Sequence, residues 1–311
     1  MLPRGIYIQI YIQKGKAMEQ FYLENSVLRI TINQLGAEVS RILSKENSHE
    51  YLWNGDETYW KRHSPVIFPI VGSLKDRRLV IDGKDYPMSQ HGFARDMNFR
   101  MTKQSNGKQI HFRLEDDDDT YRQYPYRFAL EIDYELDGYR LGVNWRVINK
   151  DSKDMYFQIG AHPAFMCPFA GKGVKTDYYL KVDTDRKLKY SLLDENGLVH
   201  YEDNELMTNS GMIEITGDMF DRDALIFEDS GVTKVSLCTP DKMEYISVAF
   251  DAPLFGIWSP AGKNAPFICI EPWYGRADRA DFSGDIRERE YINCIASGES
   301  FEAKYYIEIG H

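Results

Sequence analysis

The chain has 311 residues, of which 38 are basic and 48 are acidic, so its formal net charge is −10. This acidic balance argues against a nucleic-acid partner, because a phosphate backbone requires a basic protein face. No apolar run approaches the roughly 18 residues of a membrane span, and we therefore predict no membrane partner.

The first segment, MLPRGIYIQIYIQKGKAMEQ, is not predicted to be a signal peptide. Gln9, Gln13 and Lys14 interrupt its apolar residues, and no small-residue cleavage pattern follows. Met18 resembles an alternative start. We therefore predict an N-terminal extension or upstream remnant over residues 1–17 and a single folded domain over residues 18–311.

Strand patterns recur along the rest of the chain, while helical periodicity is weak. FYLENSVLRITINQ predicts two strands around an Asn-Ser turn, and RLVIDGKDYPM predicts a hairpin at Asp82-Gly83. YRFALEIDYELDGYRLGVNWRVIN alternates apolar and polar residues around a predicted turn at Asp137-Gly138. EYISVAFD, LFGIWSP, FICIEPW and FEAKYYIEIG continue the pattern. Many strands without alternating helices or a linker predict an all-β fold, one large antiparallel β-sandwich.

Three further segments are predicted to be irregular. The acidic run from Asp116 to Asp119 is interpreted as a solvated loop tip and not as a calcium site, since no EF-hand spacing follows it. The region around 194–210 and the stretch ADRADFSG are predicted to be loops or short turns.

The chain contains four cysteines and no CxxC pair. They are widely spaced in apolar surroundings, which predicts buried free thiols in a cytoplasmic protein and no zinc or other metal site. These cysteines are Cys167, Cys238, Cys269 and Cys294.

Three polar residues interrupt apolar runs at places where a turn is expected. Glu271 follows the run FICI, His162 precedes Pro163 in FQIGAHPAF, and His91 opens HGFARD. Singly, each could be a core residue with one hydrogen-bond partner. Together they indicate a site, because a carboxylate and a histidine can exchange protons as a general acid–base pair. Burial raises a carboxyl pKa and lowers a histidine pKa, while attraction between the two charged forms resists both shifts.

The motifs SPVIFPIVGSLKD, HGFARD, HPAF and IEPWYGRAD, in this order and spacing, resemble the aldose 1-epimerase (galactose mutarotase-like) superfamily. The LacX-type branch is the more similar one. The resemblance extends from about Met18 to the C-terminus. It implies a galactose mutarotase-like supersandwich and an isomerase that interconverts the α and β anomers of an aldohexose without a cofactor.

The resemblance also assigns roles to individual residues. It makes Glu271 the general base at the C1 hydroxyl and His162 the general acid at the ring oxygen, facing each other across one hexose-sized cavity. His91 corresponds to a second histidine near the sugar ring. An aspartate that holds sugar hydroxyls corresponds to Asp221 or Asp223, and we favour Asp223 because it directly precedes the apolar run ALIF.

The cations depart from the family pattern. The arginine that commonly stands upstream of the first histidine is absent near Ser73, where Lys75 is the available substitute, without the forked contact of a guanidinium. Arg95 is predicted to bind a sugar hydroxyl or a phosphate, with a salt bridge to Asp96 as the alternative.

The tryptophans leave a similar choice. Trp258 is predicted either to form an apolar wall for the CH face of a sugar or to be an ordinary core residue. Trp53 and Trp60 are predicted to serve packing alone.

Three other functions stay open at this point. A hexose 6-phosphate epimerase would need converging cations from Lys75, Arg77, Arg78 and Arg95, and we favour a neutral sugar because Arg77 and Arg78 fit a solvated hairpin face. A non-catalytic sugar-binding or regulatory protein could keep the same fold. A glycoside hydrolase or lyase usually requires two carboxylates at the scissile bond. The tyrosines on exposed strands are compatible with a homodimer or with an ordinary surface.

Overall fold

A computed structural model describes residues 8–13 and 16–310 of the chain, and β-strands dominate it. The many β-branched and aromatic residues suit a pleated, half-buried surface. In chain order the strands are β1 Ile8–Gln13, β2 Lys16–Glu24, β3 Leu28–Asn33, β4 Val39–Ser44, β5 Val66–Ile67, β6 Arg78–Ile81, β7 Lys84–Pro87, β8 Arg100–Ser105, β9 Gln109–Glu115, β10 Phe128–Asp137, β11 Arg140–Asn149, β12 Met155–Phe157, β13 Ile159–Ala161, β14 Ala164–Met166, β15 Tyr179–Val182, β16 Leu188–Leu193, β17 Val199–Leu206, β18 Met212–Glu214, β19 Leu225–Glu228, β20 Lys234–Cys238, β21 Glu244–Phe250, β22 Leu254–Trp258, β23 Phe267–Tyr274, β24 Asn293–Ile295 and β25 Ser300–Ile309.

Two large antiparallel sheets form the sandwich. One has nine strands in the order β18-β15-β20-β21-β25-β11-β10-β9-β8, and the other has the order β17-β16-β19-β22-β23-β13-β5, with β14 also paired to β23. Phe250 of the first sheet packs on Phe255 of the second, with ring centroids 5.5 Å apart. A smaller sheet, β1-β2-β3-β4, and two short strand pairs complete the fold. The predicted all-β sandwich is confirmed.

Helical structure is limited to short segments in the part of the chain described. The one α-helix, α1, spans Asp118–Gln123, so the predicted loop tip is right for Asp116 and Asp117 and wrong for Asp118 and Asp119, which begin the helix. Asp117 caps this helix by accepting the backbone N–H of Thr120, and acidic side chains in a first helical turn complement its unpaired N–H groups. Five 3₁₀ turns lie at Lys75–Arg77, Ala94–Asp96, Phe169–Gly171, Lys175–Asp177 and Ile286–Glu288.

The predicted hairpins form where turn residues indicate them. β6 and β7 meet at Asp82-Gly83, whose φ angles of 52° and 71° are those a tight primed turn requires. Asp137 pairs with Arg140 at the end of β10 and β11. The turn between them is therefore Gly138-Tyr139, one residue later than predicted.

Two local predictions fail in part at sheet edges. The region around 194–210 contains strand β17, which pairs with β16 at the edge of its sheet, where a polar sequence is tolerated. Cys294 is exposed because its strand β24 pairs only with β12, whereas the other three cysteines are buried and all four are free. The stretch ADRADFSG carries neither strand nor helix, as predicted.

Part of the predicted N-terminal extension is a strand. Ile8–Gln13 pairs with β2, which itself begins at Lys16, before Met18. Residues 1–7 and 14–15 of that extension lie outside the described residues. In the ranges that are described, no helix has the length and apolarity needed to cross a membrane.

Candidate active site

Glu271 lies within β23 and not at its end, because the strand continues to Tyr274. Side chains alternate between the two faces of a strand. Ile268 and Ile270 therefore join the main core between the sheets, whereas Glu271 and Trp273 point to the opposite face. The apolar run thus carries the carboxyl group into the wall of a cavity on the outer face of the sheet.

His162 reaches the same wall from the break between β13 and β14, both of which pair with β23. Its backbone N–H donates to the carbonyl of Pro65, which fixes the break. The Nε2 atom of His162 lies 3.3 Å from Oε2 of Glu271. The two groups line one cavity but touch on the same side of it, so the prediction that they face each other across it is wrong. Neighbouring strands about 5 Å apart bring their side chains into contact.

His91 is held in one tautomer by the backbone. The ring Nδ1 of His91 accepts the backbone N–H of Gly72 at 3.1 Å, and the backbone N–H of His91 donates to the Gly72 carbonyl at 2.9 Å. Because Nδ1 accepts, the proton of the neutral ring is on Nε2. Burial, and then the charge of Arg95, lowers the pKa of His91 well below 6.5. The rings of His91 and His162 meet edge to face, 5.5 Å apart.

The cavity encloses about 210 Å³ and opens to solvent, since Gln90 and Asp223 at its rim are exposed. Six predicted site residues line it, namely His91, Arg95, His162, Asp223, Trp258 and Glu271. The rest of its wall consists of Trp60, Gly72, Gln90, Leu193, Ala224, Ile226, Trp273 and Ala277. A larger cavity of about 550 Å³ lies along residues 276–290 and contains neither Glu271 nor His162.

Lys75 lies outside this cavity. Its Nζ donates to the carbonyl of Ala280 at 2.7 Å, and its backbone N–H donates to Asp278. It borders a different cavity beside Arg289. The prediction that Lys75 replaces the family arginine at the substrate does not agree with this position, because Asp278 and Ala280, which hold Lys75, do not line the cavity.

Arg95 supplies the cation of the cavity wall. Its Nη2 donates to the carbonyl of Gln90 at 2.6 Å, and its Nε, 3.8 Å from the Asp96 carboxylate, makes no hydrogen bond to any described residue. Burial lowers the pKa of Arg95 to about 10. A partly unsatisfied guanidinium in a cavity can still bind an oxygen of a ligand.

Of the two candidate aspartates, Asp223 lines the cavity, whereas Asp221 is exposed and is absent from the cavity wall. Asp223 adopts a left-handed backbone with φ of 70°, and its Oδ1 accepts the N–H of Ala224 at 2.8 Å. The neighbouring indole N–H of Trp258 favours the ionised form of Asp223. Although the residue is exposed at the rim, burial of the carboxyl itself raises its pKa.

Three indoles form the apolar walls. Trp258 meets His162 edge to face with centroids 5.3 Å apart. Trp60 packs against Phe267, as predicted. It also stacks on His162 and lines the cavity, so it does not serve packing alone.

Trp273 lies flat over two glycines. A Cβ atom would lie 2.6 Å from its ring at Gly160 and 2.5 Å at Gly256. Sequence reasoning missed Trp273, although its position two residues after Glu271 on the same strand face could have revealed it. Trp60 and Gln90 arrive on loops, and no sequence pattern indicated that they reach the cavity.

The electrostatics of the pair are set by burial. Burial raises the pKa of Glu271 well above 4.5, and Asp223 adds to the shift. The indole N–H of Trp273 favours the carboxylate but completes no hydrogen bond within the described structure. Burial, followed by the charge of Arg95, lowers the pKa of His162 to about 3. These opposite shifts favour a protonated Glu271 and a neutral His162 over the ion pair.

The sequence matches the profile of the family described as aldose 1-epimerase over residues 19–285. The chain belongs to this family. It is 27% identical over 296 residues to the chromosomal LacX protein of Lactococcus lactis subsp. lactis, a match that covers 92% of this chain and 98% of LacX. The predicted family and its LacX-type branch are confirmed.

Solved structures of aldose 1-epimerase relatives share the whole fold. A galactose mutarotase related enzyme from Lactobacillus acidophilus is 33% identical, with a TM-score of 0.87 over 94% of this chain and 97% of that one. A galactose mutarotase-like protein from Lactobacillus casei ATCC 334 is 30% identical, with a TM-score of 0.84 over 93% of this chain and 99% of that one.

Proposed function

We propose that this chain is an aldose 1-epimerase that interconverts the α and β anomers of an aldohexose without a cofactor. The observation that carries the proposal is the 3.3 Å contact between His162 Nε2 and Glu271 Oε2 in the wall of a cavity that opens to solvent. Membership of the aldose 1-epimerase family supports it.

The adjacency of the two groups suits the chemistry. The C1 hydroxyl oxygen and the ring oxygen of an aldose are bonded to the same carbon, so groups that exchange protons with both have to be neighbours. Glu271 takes the proton of the C1 hydroxyl, His162 gives a proton to the ring oxygen, and the C1–O5 bond breaks as the C1 carbonyl forms. Rotation about C1–C2 and the reverse transfers close the ring on the other face. General acid–base help of this kind is worth about 10²–10⁴-fold.

Burial favours a protonated Glu271 and a neutral His162 in the free protein, so ring opening first requires that proton to pass from Glu271 Oε2 to His162 Nε2, 3.3 Å away. Ring opening leaves Glu271 protonated and His162 neutral, which is the arrangement that burial favours. Ring closure then uses the same single proton in the opposite direction. One shared proton therefore serves both half-reactions, and no proton has to be exchanged with solvent between them.

The remaining wall would hold the sugar in place. The Nε2–H of His91 and the guanidinium of Arg95 are hydrogen-bond donors, and the Asp223 carboxylate is an acceptor for hydroxyls. The indoles of Trp60 and Trp258 offer apolar faces for the CH groups of the ring. A few polar groups among apolar walls are typical of small-ligand cavities.

The test is NMR measurement of anomeric exchange on a panel of free aldohexoses, hexose 6-phosphates and glycosides. We expect the wild type to accelerate exchange, and Glu271→Gln and His162→Asn each to reduce the acceleration at least about 100-fold. His111→Asn, on β9 of the other sheet, is the matched control and keeps wild-type exchange.

The same panel distinguishes the alternatives. Sugar binding without acceleration by the wild type would replace the proposal by a sugar-binding protein. Preference for phosphorylated sugars would identify Arg95, whose Nε lacks a described partner, as a phosphate ligand. Release of reducing sugar from a glycoside would show that Asp223 and Glu271 act as a hydrolytic carboxylate pair.

A further inference from the structure

Cys269 adjoins the two proposed acid–base groups, although the proposed reaction has no use for a thiol. It lies two residues before Glu271 on β23, so the two side chains share a strand face. One ligand atom each from His162, Cys269 and Glu271 lies within 4.8 Å of the other two, and all three residues are buried. Among the residues that the structure describes, no other three His, Cys, Asp or Glu side chains come so close.

Glu271 keeps an unsatisfied polar atom at this cluster. Its Oε2 is buried and makes no hydrogen bond to any described residue, and the residue is only 1% exposed. The 3.3 Å between His162 Nε2 and Glu271 Oε2 is also the distance expected of two metal ligands. Nitrogen and oxygen ligands about 2.0–2.1 Å from a tetrahedral ion stand about 3.3 Å apart.

The donor set is chemically specific. An imidazole, a thiolate and a carboxylate are ligands that suit Zn²⁺, and the thiolate selects against Mg²⁺ and Ca²⁺. Burial, followed by the charge of Glu271, raises the pKa of the Cys269 thiol well above 9.0, and the ammonium of Lys175 opposes this rise, so the ion has to displace the thiol proton. His162 and Glu271 line the cavity, whereas Cys269 lies in a buried apolar cluster beside it.

We propose that His162, Cys269 and Glu271 bind a thiophilic divalent cation such as Zn²⁺, and that the bound ion stops anomer exchange. Three metal–ligand bonds form, and the thiol proton and the proton shared by the pair are released to the buffer. The ion then occupies the lone pairs that would exchange protons with the sugar. Metal binding itself is independent of the proposed epimerase activity, and only the inhibition rests on it.

The first measurement reads the metal–sulfur bond directly. Cd²⁺ is titrated into the full chain in a Cys294→Ser background, which removes the exposed thiol, and the cadmium–thiolate charge-transfer absorption is recorded. We expect a band that saturates at one ion per chain and disappears in Cys269→Ala and in Cys269→Ser. Cys238→Ala, a buried thiol elsewhere in the fold, is the matched control and keeps the band.

The second measurement uses Zn²⁺ and anomeric exchange, with each variant compared with its own metal-free rate. We expect Zn²⁺ to inhibit the Cys294→Ser protein and a chelator to restore its rate. Cys269→Ser should need at least about tenfold more Zn²⁺ for the same inhibition, because loss of a ligand lowers metal affinity at least as much as loss of a residue that hydrogen-bonds to a ligand.

Absence of the Cd²⁺ band, or equal loss of the band in Cys238→Ala, would overturn the metal site. A normal band with full activity in saturating Zn²⁺ would overturn the inhibition. A normal band in a wild-type protein that does not accelerate anomeric exchange would support the metal site and contradict the proposed function. Failure of the metal site and failure of the proposed function therefore give different results.

Discussion

The indole of Trp60 stacks on the imidazole of His162, with ring centroids 4.8 Å apart and planes 30° from parallel. Trp258 covers an edge of the same imidazole. These two contacts exclude water from His162 and so contribute to the burial that lowers its pKa. Trp60 is therefore a positioning and desolvating residue for the proposed acid as well as a wall of the cavity.

Trp60→Ala is expected to lower kcat/KM for anomeric exchange about three- to tenfold, which corresponds to the worth of one aromatic contact. The backbone carbonyl of residue 60, which accepts the indole N–H of Trp53 at 2.8 Å, stays in place in the variant. NMR titration of the His162 ring should show its pKa moving upward from about 3 toward 6.5. Trp145→Phe, in β11 of the other sheet, is the control, and an unchanged His162 titration in Trp60→Ala would contradict the role.

The buried Glu271 carboxyl should make stability depend on pH. Its pKa in the native state lies well above 4.5, so native Glu271 keeps its proton where the unfolded chain has lost it. The stability that this raised pKa contributes to the native state is fully present below pH 4.5 and is lost as pH rises through the native pKa. The stability of Glu271→Gln relative to the wild type should therefore grow with pH by about 1.4 kcal/mol per unit in that window. Urea unfolding at pH 5, 6, 7 and 8 measures the difference.

Glu115→Gln is the control for this pH series. Arg113 and Lys150 lower the pKa of Glu115 to about 2, so this carboxyl is ionised in both states above pH 5. Its difference from the wild type should be constant between pH 5 and 8. A constant difference for Glu271→Gln as well would show that Glu271 is ionised in the native protein.

The rate should be insensitive to pH where an ordinary histidine titrates. The pKa of His162 is lowered to about 3, and burial raises the pKa of Glu271 and lowers that of His91, so none of the three groups should titrate as its exposed counterpart does. We expect kcat/KM for anomeric exchange to be flat between pH 5 and 7, after subtraction of the spontaneous rate. A limb with an apparent pKa near 6.5 would mean that His162 titrates as an exposed imidazole.

Gly256→Ala is expected to displace Trp273 from the cavity wall, because the new Cβ would lie 2.5 Å from its ring. Overpacking of this kind costs about 1–3 kcal/mol of unfolding free energy. Movement of the wall should lower kcat/KM more than about tenfold, since misplacement near a reacting pair is costly. Chemical unfolding and anomeric exchange measure the two effects.

Gly217→Ala is the matched control for Gly256→Ala, because a Cβ at Gly217 meets no atom within 4 Å. It should change neither stability nor rate by more than a small amount. Normal exchange by Gly256→Ala would show that the position of Trp273 does not matter to the reaction.

The identity of the central residues could be predicted from the sequence, but their spacing could not. Pro163 after His162 and the apolar run before Glu271 indicated where each polar group leaves the core. Their contact depends on β13, β14 and β23 being neighbours, a long-range pairing that no local pattern encodes. Asp223 was favoured over Asp221 for its place before a strand, and that strand, β19, does carry it to the cavity rim.

Lys75 shows the opposite case. Its sequence position close to that of the expected arginine suggested that Lys75 lines the cavity, but its Nζ donates to the Ala280 carbonyl outside the cavity. Arg95, further along the chain, fills the cavity wall because the left-handed turn at His91-Gly92 folds the HGFARD segment back against Phe68. Side-chain direction after a turn follows from backbone dihedral angles that residue types alone do not specify.

The alternation of side chains along β23 also restricts how this site can diversify. Phe267, Cys269, Glu271 and Trp273 share one face, so inserting or deleting a single residue within the strand would turn every residue beyond that point to the core side. Exchange of one side chain for another leaves this order of faces intact, whereas a change of length is better tolerated at the rim, in loop segments such as those that carry Trp60 and Gln90.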